Sequence, residues 1–230
     1  THDLNIVRQI ADRVCVMNSG RIVEQGVTDI VFEKPKHDYT KKLLKAISAS
    51  GPKSISAHAK VILSSQDIKV WFPVYKGFLK RTVGHIKALN AATFDVRKGE
   101  TLGIVGESGS GKSTIALALM RLIEFEGELN FDGKDIGSLK TRELRKMRSD
   151  MQIVFQDPFG SLSPRMTCSQ IISEGLEVHK SASFDDTQLS VSKVMEEVGL
   201  DPALKHRYPH EFSGGQRQRI AIARAMVLKP

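Results

Sequence analysis

The chain has 230 residues, 40% of them hydrophobic and 26% charged, a globular composition that excludes a disordered or low-complexity chain. Its longest apolar runs, such as residues 115–120, are far too short to cross a bilayer and no basic-then-apolar leader opens it, so a soluble, cytoplasmic protein is expected. The formal charge of +8 comes from Lys and Arg spread along the chain, which excludes a single nucleic-acid-binding block, and Cys15 and Cys168 share no motif and read as two free thiols.

In chain order, Asp3 can cap a short helix that carries Leu4, Val7 and Ile10 on one face. Residues 14–17 and 21–24 read as two strands joined across Asn18-Ser19-Gly20, and residues 40–47 as a second helix. Such a unit is too small to bury a core alone, so residues 1–48 are expected to need a larger body. Residues 49–65, rich in Ser, Ala, Gly and Lys and broken at Gly51-Pro52, read as a linker. A second domain is expected over residues 66–230. It opens with alternating residues 67–72, a Gly/Lys/Arg-rich passage to His85 and a strand-like run at 88–96.

The stretch that organises this second domain follows directly. Residues 102–105 are a short apolar run with the pattern of a buried strand, and Gly106-Glu107-Ser108-Gly109-Ser110-Gly111-Lys112-Ser113 fits G-x-x-x-x-G-K-[ST] at every fixed position. Gly106, Gly109 and Gly111 carry no Cβ, which lets successive backbone N–H groups converge on phosphate oxygens. A helix that starts at Lys112 adds the positive end of its dipole. The Lys112 ammonium suits the β- and γ-phosphates, the Ser113 hydroxyl suits Mg²⁺, and Thr114 suits the α-phosphate.

Downstream, residues 127–131 and 134–136 flank Asp132-Gly133, a hairpin signal, and residues 141–148 read as a charged helix. Residues 151–155 read as a second buried strand ending in Gln156-Asp157-Pro158, where Pro158 stops regular structure. A helical insertion is expected at about 160–212, with Ile171, Ile172, Leu176, Val191, Val194, Met195 and Val198 in helical register. A last helix runs over 217–228. Ser213 and Gln216 before it have capping-box spacing, while Gly214 and Gly215 would also expose N–H donors at the helix start and so imply a second anion contact.

Taken together these motifs resemble the ATP-binding subunits of ABC transporters, over almost the whole chain. Gly106 to Thr114 resembles Walker A, Gln156 the Q-loop, and Phe212-Ser213-Gly214-Gly215-Gln216 the family signature, with Phe212 where most members have Leu. Thr1-His2-Asp3-Leu4 resembles the H-loop, which in this family follows Walker B near the end of a domain. That order implies the tail of one nucleotide-binding domain followed by the front of a second, a tandem fusion cut at both ends before its own Walker B. Pro35-Lys36-His37-Asp38-Tyr39-Thr40 and Phe72-Pro73-Val74 are similar to the dipeptide/oligopeptide/nickel importer branch, with Asp38 in place of a usual proline.

The resemblance implies an α/β P-loop NTPase fold of the ABC type with a helical subdomain, incomplete at both ends. It implies ATP and Mg²⁺ as ligands, with Ser113 and Gln156 at the metal and His2 and Gln156 at the hydrolytic water. It also implies Phe72 stacking on adenine, with Tyr75 and Phe78 as rivals and a plain core position as an equal alternative. Two nucleotide-binding domains would pair head to tail, so that His2 and Ser213 face one γ-phosphate while Lys112 and Gln156 serve the other site. The implied partners are transmembrane permease subunits and, indirectly, a periplasmic or extracellular substrate-binding protein. The place implied is the cytoplasmic face of the cell membrane, with no role in nucleic-acid binding. A rival reading is a soluble tandem ABC ATPase acting on ribosomes or DNA, set against by the short Ser/Ala-rich linker.

Overall fold

The computed structural model describes residues 4–18, 20–48, 56, 58–78, 81–179 and 183–230. The chain divides into two compact units, Thr1–Ala57 and His58–Pro230. His2, and Asp3 as a cap, lie outside the described residues. Among the described residues no helix is long and apolar enough to cross a membrane.

In the first unit, α1 (Leu4–Ile10) leads into an antiparallel hairpin of β1 (Arg13–Asn18) and β2 (Arg21–Val27), with Arg13 opposite Val27 and Asn18 opposite Arg21. A short helix, α2 (Thr28–Glu33), follows β2 without a loop. Six residues make fewer than two turns, so no periodicity announces it. Tertiary contacts fix it instead: Thr28 donates its N–H to the Asp12 carbonyl and its hydroxyl to the Ala11 carbonyl, and Val31 is buried beside Gly26. The last helix, α3 (Asp38–Ser48), is entered through Glu24, whose carboxylate accepts the Lys36 and His37 N–H groups at 2.8 and 3.0 Å. These donors, Lys36 first, hold the Glu24 carboxyl below the ordinary carboxylate value. Ile10, Met17, Ile22 and Ile30 lie more than half exposed.

The second unit opens with a four-stranded antiparallel sheet. In chain order it contains β3 (Val61–Lys76), β4 (Arg81–Arg97), β5 (Glu126–Phe131) and β6 (Lys134–Asp135), arranged β4-β3-β5-β6. Residues 61–65, expected to end a linker, are already strand. Val61 pairs with Arg97, and the buried Ser65 hydroxyl donates to the Phe94 carbonyl while accepting the Phe94 N–H. A serine reads as linker composition, yet here its hydroxyl is absorbed by the ladder. The Asp132-Gly133 hairpin forms, both residues with positive φ, as a two-residue turn matching strand twist requires.

Helix α4 (Lys112–Leu119) packs on this sheet. Its Ile115 and Ala118 meet Ile68, Val70, Leu89 and Leu129, with Ile136 and the Met147 of α5 (Thr141–Met147) closing the cluster. Next come α6 (Pro158–Ser161) and a helical half built of α7 (Cys168–His179), α8 (Phe184–Glu197) and α9 (Gly214–Met226). Cys168, Ile171, Ile172, Leu176, Val191, Val194, Met195 and Ile220 are its buried seam. Gly199, with φ 72°, ends α8, and its carbonyl accepts Nη1 of Arg219 from α9 at 2.8 Å.

Two expectations fail here. Residues 102–105 and 151–155 are not strands but irregular extended chain, with Leu102, Ile104, Val154 and Phe155 about two-fifths exposed and Val105 92% exposed. An apolar run becomes a buried strand only when neighbouring strands complete its ladder, and among the described residues neither run has one. Pro158 also does not end regular structure. It begins α6, since a proline costs nothing at a first helical position whose N–H has no partner anyway.

Candidate nucleotide-binding site

Residues 106–111 carry the chain from the extended run into α4, and Gly111 makes the turn possible. Its φ is 95°, and a Cβ there would sit 2.6 Å from the Ala88 carbonyl oxygen and 2.9 Å from the Leu89 side chain. Any side chain would push the loop off β4. A Cβ on Gly106 would likewise meet the Ser110 hydroxyl at 2.7 Å. No side chain caps α4, so the donors of its first turn remain directed at the loop's interior.

Lys112 curls back over this loop. Its Nζ donates to the Gly106 carbonyl at 2.8 Å, the Glu107 carbonyl at 2.6 Å and the Ser110 hydroxyl at 3.2 Å. An ammonium has three donors, and all three are satisfied within the loop. Ser110 is tied down further by its own N–H, which donates to the Glu107 carbonyl at 3.2 Å. Ser108 and Gly109 at the tip and Ser113 in the first turn are exposed, and Thr114 is half-buried. The expected phosphate-loop residues are therefore assembled in one loop and one helix turn.

Phe72 lies in β3. It pairs with Ile86, two residues before the Ala88 carbonyl that abuts Gly111. Val70, two residues before Phe72, is buried in the cluster with α4, and the ladder is irregular between Val70 and Trp71 and again between Val74 and Tyr75. Trp71 has Lys87 Nζ 4.3 Å from its ring centre. Phe78 is fully exposed in the turn beyond. All three aromatic candidates are exposed, Phe72 least of them.

The glycine pair lies at the N-terminus of α9. The capping box forms: Ser213 Oγ accepts the Gln216 N–H at 3.4 Å and Gln216 Oε1 accepts the Ser213 N–H at 2.9 Å. A Cβ on Gly215 would meet nothing within 4 Å, so this end of the helix faces open space. Phe212 is buried in the helical seam, and its carbonyl accepts Arg217 Nε at 3.0 Å. Gln156 is exposed, just before α6. One cation went unnoticed in the sequence. Arg224 of α9 donates from Nη1 to the Ser161 carbonyl at 2.6 Å, across 63 residues of chain, a spacing that no local pattern announces.

The ABC transporter family profile matches residues 89–230. Over its whole length the chain is 54% identical to the peptidoglycan transport ATP-binding protein YejF of Agrobacterium fabrum, of which it covers 42%. It is 42% identical to the glutathione import ATP-binding protein GsiA of Escherichia coli, of which it covers 41%. The chain thus spans well under half the length of these curated relatives. Among solved structures it resembles the dimeric ATP-binding cassette MJ0796 in a post-hydrolysis state bound to ADP and inorganic phosphate. The two are 28% identical with a TM-score of 0.64, covering 74% of this chain and 71% of that one. With its glycine loop, its lysine-headed helix and the matched residues in agreement, the chain has the α/β P-loop NTPase fold and belongs to the ABC transporter family.

Proposed function

We propose that the chain belongs to the ATP-binding and ATP-hydrolysing component of an importer, a protein that couples hydrolysis to transport of peptide-like cargo. The cargo class is supported by its relatives, which are named for peptidoglycan transport and glutathione import. In this reading residues 1–48 end one nucleotide-binding domain and residues 66–230 begin a second. The paired domains sit peripherally on the cytoplasmic face of the membrane, against permease subunits.

The observation that carries the nucleotide reading is the Lys112 ammonium inside a loop whose Gly111 admits no side chain. Lys112 exchanges its loop acceptors for β- and γ-phosphate oxygens, the loop N–H groups hold the remaining charge, and Phe72 stacks on the base. Exposed Ser113 and Gln156 offer the hard oxygen donors that Mg²⁺ takes, and the ion would neutralise charge developing on the phosphates. Ser213, Gly214, Gly215 and Gln216 serve the γ-phosphate of the opposite site in a domain pair, together with His2.

Titration calorimetry with ATP tests the floor of this reading. Lys112→Ala should weaken binding about 10- to 100-fold, the loss of one or two charge-assisted hydrogen bonds. Unchanged affinity would remove the site.

A further inference from the structure

Gln156 stands at the junction of two anchorages. Before it runs the extended segment 151–155, which has no ladder among the described residues; after it come Asp157 and α6, whose last residue is Ser161. The Ser161 carbonyl accepts the Arg224 guanidinium at 2.6 Å, and the next residue, Leu162, is buried in the helical seam. Arg224 also lines a cleft of about 290 Å³ between residues 152–155 and helices α7 and α9, with Phe155 and Val178 on its walls. Arg224 belongs to the same α9 that Ser213 caps, a helix about 20 Å long at 1.5 Å per residue, which moves as one body.

We infer that Arg224 is a positioning residue: it fixes the turn that follows Gln156 to the signature helix, so that any shift of α9 is passed to Gln156. The inference rests on the assignment of Gln156 to the nucleotide site. The guanidinium is suited to the task because its charged donor binds a backbone oxygen that no substitution at position 161 can remove. The tie is also directional. It acts on the turn after Gln156 and leaves the Lys112 loop, on the sheet side, untouched.

The test uses the longest natural protein that carries these residues. Hydrogen exchange should quicken in residues 156–162 of Arg224→Ala and stay unchanged in residues 106–119 and in the buried seam of α7 and α8. In ATP hydrolysis the same variant should lose about tenfold in kcat and need more Mg²⁺ for half-maximal rate, with KM for ATP unchanged. Arg224→Lys, which keeps one charged donor, should recover most of the loss, and Arg224→Met, which keeps the apolar stem without a donor, carries the exchange measurement if the alanine variant does not fold. Combined with Gln156→Ala, Arg224→Ala should add less than about twofold, because both act through one group. Fully additive losses, or unaltered exchange at 156–162, would overturn the inference. If Gln156→Ala alone leaves the rate intact, the assignment of Gln156 falls and the kinetic role of Arg224 falls with it, while exchange still reports whether the tie exists.

Discussion

The helical half and the loop half of the second unit contain equally apolar runs and treat them in opposite ways. In α7, Ile171 and Ile172 are almost wholly buried, whereas Ile104 and Val105, at the threshold of the phosphate loop, stand open. The contrast comes from where each finds its neighbours. Helices satisfy their own backbone and need only side-chain partners, which α8 and α9 supply within 60 residues. A central strand needs flanking strands for both its hydrogen bonds and its burial, and those can come from anywhere in a protein.

The contrast can be sharpened by paired substitutions. Ile172→Ala should cost about 2–5 kcal/mol in urea unfolding of this chain, against less than about 0.5 kcal/mol for Val105→Ala. Equal costs would show that residues 102–105 are packed after all. Within the loop half, backbone geometry takes over from burial. Gly111→Ala should cost about 1–3 kcal/mol through its left-handed conformation, and more from the overlap with the Ala88 carbonyl, and should abolish ATP binding in a fluorescence titration. Gly109→Ala, also at positive φ but in open space, should show only the conformational part.

A smaller effect is expected at the entrance to α9. Ser213→Ala removes a cap from the helical half and should lower its stability by about 1 kcal/mol, with nucleotide affinity at Lys112 unchanged. A fall in that affinity in an isolated copy would place Ser213 at the wrong site. The mildest probe is alkali. Burial pushes the Cys168 thiol up from 9.0 to about 12, so the unfolded chain ionises first as pH rises. Whatever stability the neutral thiol contributes is complete below pH 9.0 and is lost progressively toward about 12. Melting of α7 across that interval should report it, while exposed Cys15 reacts with alkylating agents throughout.

Legibility in the sequence followed the same division. The hairpin at Asp132-Gly133, the seam of the helical half and the loop from Gly106 to Thr114 were readable because their signals are local: turn chemistry, a 3.6-residue period, a fixed spacing of glycines. Three features were not. Helix α2 is held by Ala11 and Asp12 rather than by its own pattern, strand β3 begins among serines and other residues read as linker, and Arg224 finds its carbonyl 63 residues away. The runs at 102–105 and 151–155 have the composition of buried strands without the structure, since a ladder belongs to a pair of strands and not to either one. Of the candidate site, the turn at Gly106 to Gly111 and the helix start at Lys112 follow from the glycine spacing alone.

The self-satisfied lysine sets a threshold for what can enter the loop. Releasing Lys112 from Gly106, Glu107 and Ser110 leaves three donors to be matched together, so a visitor with one or two accessible oxygens replaces the existing bonds only in part. Chloride and carboxylates are therefore poor competitors, and a chain of linked phosphates is a good one because its oxygens arrive already tethered to one another. The loop thus disfavours chloride and carboxylates by geometry alone, without any wall to keep them out.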